Sequence, residues 1–78
     1  MMPAYPVRLT PAEEGMVLVT FPDVPEAVSC ARGEEAAIER AGEVLEIILG
    51  CYESEGRPLP EPSVIEGAPK VVPRRHLR

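Results

Sequence analysis

Thirteen carboxylates, two thiols and one imidazole are the side chains of this 78-residue chain with the types that reactive chemistry demands. Phosphodiester cleavage on two divalent cations needs several carboxylates converging on the metals, which stabilise the attacking and leaving oxygens. Asp23 is the sole aspartate, and Glu35, Glu39, Glu43, Glu46 and Glu53 recur along one side of a helical pattern, where carboxylates form a solvated face. Thiol catalysis needs a base beside Cys30 or Cys51, yet His76 stands three residues from the end among Arg74, Arg75 and Arg78. Gly15, Gly33 and Gly42 are isolated and form no phosphate-cradling loop. The expectation is a non-enzyme with no catalytic, cofactor-binding or metal-binding residues. Two cysteines match neither a disulfide framework nor a zinc site, so they are expected as reduced, buried thiols, with a Cys30 to Cys51 disulfide as the alternative.

The elements that hold these residues follow from periodicity. Tyr5, Val7 and Leu9 alternate with Pro6, Arg8 and Thr10, a half-buried strand in which the nitrogen of Pro6 must face solvent or an edge. A polar connection, Pro11 to Gly15, leads into the apolar, β-branched run Met16 to Phe21, which completes an antiparallel hairpin. Phe21-Pro22-Asp23-Val24-Pro25-Glu26 has two prolines three apart and is expected as a stiff, extended loop. Val28 to Ala31 suits a short third strand with Val28 and Cys30 on one face.

From Glu34 to about Ser54 no proline interrupts the chain, and Ile38, Ala41, Leu45, Ile48, Leu49 and Tyr52 recur at helical spacing. Such a helix is roughly 30 Å long. Gly33 serves as its N-cap and Gly56 as the residue that ends it, while Gly42 inside it implies either close packing on the strands or mere tolerance. Arg57 to Ser63 is an extended linker, and Lys70 to Val72, between Pro69 and Pro73, suits a short edge strand. The expected fold is α+β: a three- to four-stranded antiparallel sheet with one long amphipathic helix across one face, in the order β-β-β-α-β. Residues 1–66 are expected to form the domain and residues 67–78 a basic tail containing the edge strand.

Charge bears on partners. Residues 1–66 hold all 13 acidic side chains and only Arg8, Arg32, Arg40 and Arg57, for −9, whereas residues 67–78 carry Lys70, Arg74, Arg75 and Arg78, for +4. An acidic body repels phosphate backbones and attracts basic proteins, so direct nucleic-acid binding is not expected beyond a weak, salt-sensitive contact by the tail. The amino terminus has no signal-peptide pattern and no run is long enough to span a membrane, so a cytoplasmic protein is expected. A core this small rarely supplies more than about 3–5 kcal/mol, and self-association is a common supplement, so a dimer or tetramer is expected.

The order of elements and three phrases resemble the HicB-like antitoxin family. The phrases are Phe21 to Ala27 after the hairpin, Glu34-Glu35-Ala36 opening the helix, and Glu55-Gly56-Arg57-Pro58-Leu59-Pro60-Glu61-Pro62-Ser63 closing it; the likeness spans about Tyr5 to Ser63. The resemblance implies a partial ribonuclease-H-like fold without a working active site. It further implies binding to a small basic mRNA-cleaving toxin of the HicA type, whose RNA-binding and catalytic surface it covers. Many members add a DNA-binding domain, which is not expected within these 78 residues, and many have Asp, Ser or Thr where Arg32-Gly33 opens the helix. Phe21, Pro22, Asp23, Val24, Pro25 and Glu26 are the expected partner-binding residues, since exposed rigid loops lose little entropy on binding. The alternatives are an orphan, self-associating domain that has lost its toxin, and a residual Mg²⁺-dependent nuclease resting on Asp23.

Overall fold

The computed structural model describes residues 4–73. Strands β1 (Tyr5–Pro6), β2 (Arg8–Pro11), β3 (Met16–Thr20) and β4 (Val28–Arg32) precede one helix, α1 (Glu34–Ser54), and a last strand, β5 (Lys70–Val71). All pairings are antiparallel: β1 with β5, β2 with β3, and β3 with β4. The architecture is the α+β arrangement read from the sequence, with the helix across one face of the strands.

The pairings divide into a two-stranded and a three-stranded sheet at Val7, and backbone parity explains the division. Val7 N–H donates to Pro69 O at 2.9 Å, so Val7 and Tyr5 turn their backbone groups toward β5. Ala12 N–H donates to Met16 O at 2.8 Å, so the even-numbered residues Thr10 and Arg8 turn theirs toward β3. Tyr5 to Pro11 is thus one strand track with a different neighbour on each edge, and the two neighbours are offset along it. Pro6 turns its nitrogen to the β3 side beyond the end of β3, and Pro11 turns its own to the β5 side beyond the pairing with β5. Neither proline removes a ladder bond. Pro6 is fully buried, and its nitrogen takes the edge position, one of the two that the sequence allows it.

Side-chain alternation puts Tyr5, Val7, Leu9, Val17, Val19, Ser29 and Ala31 on the helix side of the strands. Against them the helix lays Ala37, Ala41, Gly42, Leu45 and Leu49, all buried, flanked by partly buried Ile38, Ile48 and Tyr52. Small residues on both surfaces let the layers approach, and the Ser29 hydroxyl donates to Ala37 O at 3.2 Å, satisfying the buried polar side chain of β4. Gly42 is buried and lines a groove with Lys70, Val71 and Val72, beside β5.

Val28 and Cys30 do share a face, but it is the outer one. The expectation of buried thiols is therefore corrected: both cysteines are exposed and free. Cys30 alternates with the inward-facing Ser29 and Ala31, and Cys51 lies two residues past the buried Leu49, on the solvent side of the helix.

Both helix ends follow local chemistry. Gly33 is the N-cap with φ +87° and ψ 152°, a conformation essentially reserved to glycine, and no side chain caps the helix; Glu34 and Glu35 occupy its first turn, at the positive end of the dipole. At the other end Gly56 adopts φ +72°, its N–H donates to Glu53 O and that of Arg57 to Tyr52 O, the paired bonds of a Schellman motif. Lys70–Val71 is the short edge strand expected from its flanking prolines. The cationic cluster Arg74, Arg75 and Arg78, with His76, lies outside the described residues.

Candidate protein-binding site

The segment between β3 and β4 is not the extended loop expected from its prolines. Val24 N–H donates to Phe21 O at 3.1 Å and Ala27 N–H to Val24 O at 2.9 Å, which makes two β-turns in tandem. Pro22 and Pro25 each occupy the second position of a turn, where the fixed φ of proline is already correct. The residues that begin and end the turns, Phe21, Val24 and Ala27, are buried at 1%, 0% and 0% exposure. The Pro22-Asp23 and Pro25-Glu26 pairs face outward, with Asp23 half-buried and the other three exposed. Of the six residues expected to meet a partner, Phe21 and Val24 therefore anchor the loop in the core, and four form its outer surface.

Both carboxylates are held by the chain that leaves the helix. Asp23 accepts the Ser63 hydroxyl on Oδ1 at 2.5 Å and the Ser63 backbone N–H on Oδ2 at 2.8 Å. Glu26 accepts the Tyr52 hydroxyl on both oxygens at 3.0 Å and has the Arg57 guanidinium at 4.0 Å. That guanidinium stacks on the Tyr52 ring, 4.0 Å from its centroid, and its Nε contacts Glu55 at 2.8 Å. Below them the Tyr5 hydroxyl donates to Pro60 O at 2.7 Å. The first and third phrases singled out in the sequence, 28 or more positions apart by their numbering, thus form one braced surface of prolines and paired charges.

The tyrosines are held in their neutral, donating form. The Tyr52 hydroxyl is pushed above its ordinary pKa chiefly by its bond to Glu26, with partial burial and the Glu26 charge adding to the effect and Arg57 opposing it. Tyr5 is raised chiefly by burial and then by the negative charge of Asp23. Among the described residues no three of His, Cys, Asp and Glu gather to hold a metal ion, and no helix is long and apolar enough to cross a membrane. Tyr52, Arg57 and Ser63 are the members of this surface that the residue-by-residue reading did not select. For Arg57 and Ser63 the signal was the closing phrase itself, whose arginine and serine complement the glutamate and aspartate of the first.

Fold and site define a small α+β domain that uses its loop carboxylates as struts for a rigid, proline-rimmed surface. The match to known proteins agrees: residues 4–72 fit the HicB_like antitoxin family of bacterial toxin-antitoxin systems. The chain is 43% identical over 60 residues to Antitoxin HicB 1 of Photorhabdus laumondii subsp. laumondii, a stretch covering 74% of this chain and 39% of that relative. It is 39% identical over 59 residues to Antitoxin HicB of Escherichia coli strain K12, covering 76% of this chain and 43% of that relative. The chain belongs to the HicB-like antitoxin family, and it spans about two fifths of the length of the curated relatives it matches.

Proposed function

We propose that this chain is the toxin-neutralising domain of a cytoplasmic toxin-antitoxin system, which binds a small basic mRNA-cleaving toxin of the HicA type and covers its RNA-binding and catalytic surface. The observation that carries this reading is family membership across residues 4–72 joined to the braced loop, whose outer residues Pro22, Asp23, Pro25 and Glu26 are already ordered before a partner arrives. A preorganised surface loses little entropy on docking, and a body with 13 acidic side chains against four basic ones over residues 1–66 speeds the encounter with a cationic protein. Its role is stoichiometric occlusion and not turnover; in the described residues Asp23 is committed to Ser63, which counts against a residual nuclease.

The test is co-purification of the tagged chain with the small basic product of the adjacent reading frame, followed by an RNA-cleavage assay of that product with increasing antitoxin. Cleavage should fall to background near equimolar ratio. Pro25→Arg, an exposed change within the loop, should weaken capture by about tenfold or more, the scale of a central interface residue. Undiminished cleavage at a large excess of this chain would remove the proposal.

A further inference from the structure

Strands β2, β3 and β4 have two faces, and the helix covers one of them. Their register puts three rows of side chains on the other: Arg8, Thr20 and Val28; Thr10, Leu18 and Cys30; and, nearest the hairpin tip, Met16 and Arg32. Arg8, Thr10, Val28, Cys30 and Arg32 are exposed there and Met16, Leu18 and Thr20 are half-buried, so no described element buries this face. Its centre is apolar: Leu18 stands between Thr10 and Cys30, with Met16 two positions before it on the same strand and Val28, 47% exposed, in the next row. Its charge is opposite to that of the body. All 13 acidic side chains lie outside the described strands, whereas Arg8 and Arg32 occupy diagonally opposite corners of the face. Arg32 is fixed by one bond, 2.8 Å from its Nη1 to Glu14 O, and its remaining N–H groups suit a second acceptor. A face with two cations and no anion draws an acidic partner and repels a cationic toxin.

We propose that this face docks an amphipathic helix of an acidic protein, with the apolar stripe of that helix on Leu18 and carboxylates toward its two ends on Arg8 and Arg32. Dimensions select a helix. Strand spacings of ~4.8 Å make a three-stranded face about 10 Å wide, the diameter of one helix with its side chains. Arg8 and Arg32 are two strands apart and four residue steps apart along them, so about 10 Å and about 13 Å give a diagonal of roughly 16 Å. Carboxylates about eleven residues apart on a helix span the same distance and, after about three turns, point the same way. Nucleic acid fits the charge of the face and not the rest of it. Tyr5 and Phe21 are buried and Tyr52 stands on α1, so bases find no aromatic platform among these side chains. None of Arg8, Leu18 and Arg32 belongs to the braced loop, so the face is a second surface, separate from the one assigned to the toxin.

The probe is a fluorescein-labelled synthetic helix of about sixteen residues, ~24 Å long, with leucines along one stripe and glutamates about three turns apart beside it. Fluorescence anisotropy with the full chain should show saturable binding at micromolar concentration. Leu18→Lys, a change on the outer face, should weaken it by about tenfold or more, the scale of a central interface residue. Arg8→Glu combined with Arg32→Glu should lose the glutamate helix and gain the same helix carrying lysines instead, a reversal that misfolding does not produce. Amide shifts on titration should concentrate at residues 8–10, 16–20 and 28–32. Absence of binding, equal binding by Leu18→Lys, or equal binding of the lysine helix to the wild type would each overturn the proposal. So would an oligoribonucleotide that displaces the helix in an arginine-dependent way, which makes the face a nucleic-acid site, or a fall in the sedimenting mass of the chain alone on Leu18→Lys, which makes a second copy its occupant. Toxin neutralisation is read separately by the cleavage assay and stands or falls without these results.

Discussion

Replacing Asp23 by alanine removes the two bonds through which the tandem turns grip Ser63, at 2.5 and 2.8 Å. Hydrogen bonds to a charged group contribute about 1.5–3 kcal/mol each when well buried. Asp23 is only half-buried and Ser63 is exposed, so solvent competes for both ends and about 1–2 kcal/mol for the pair is the reasonable magnitude. For a domain of this size 1 kcal/mol shifts the thermal midpoint by about 4–8 °C, so Asp23→Ala should melt roughly 4–16 °C below the wild type. Ser63→Ala removes only the hydroxyl bond and should fall by about half as much. The double variant should fall short of the sum, because both changes delete the same contact. Melting followed by circular dichroism supplies the midpoints, and hydrogen exchange at the Ser63 amide supplies a local readout that should quicken in Asp23→Ala. Midpoints within about 2 °C of one another, with unchanged exchange at Ser63, would show that the carboxylate does not brace the linker.

Leu45→Ala opens a void beneath the centre of the helix, where Leu45 is fully buried, and should cost about 2–5 kcal/mol; urea titration should find the variant largely unfolded without denaturant. Gly33→Ala places a Cβ at φ +87° and ψ 152°, so about 1–3 kcal/mol should be lost in the same titration although the space around it is open, which separates backbone strain from a clash. Raised tyrosine pKa values mean that the folded state holds these protons more tightly than the unfolded chain does. Their stabilisation is whole below the ordinary value near 10 and fades as pH climbs through the higher folded values, so the melting midpoint should drop in that alkaline window and the drop should shrink in Tyr5→Phe.

Periodicity alone determined the helix, because a 21-residue span without proline and with apolar residues every third or fourth position leaves no other way to bury one side. It likewise determined the strands: Tyr5, Val7 and Leu9 can share a face only in an extended chain. The glycines at 33 and 56 marked both helix ends, since only residues tolerant of positive φ finish the backbone there. Tertiary structure decided what local rules leave open. Whether two prolines make an extended loop or two turns depended on burying Phe21, Val24 and Ala27 together, a choice made by the core beneath them. Whether Cys30 faces inward or outward depended on strand register, since a shift of one residue exchanges the two faces. The clamp between residues 23–26 and 52–63 required the helix to cross the sheet and return the chain to the turns, so its partners are adjacent in space although Asp23 and Ser63 stand 40 positions apart. Side-chain types announce which charges complement one another, and only the packed layers bring them within bonding distance.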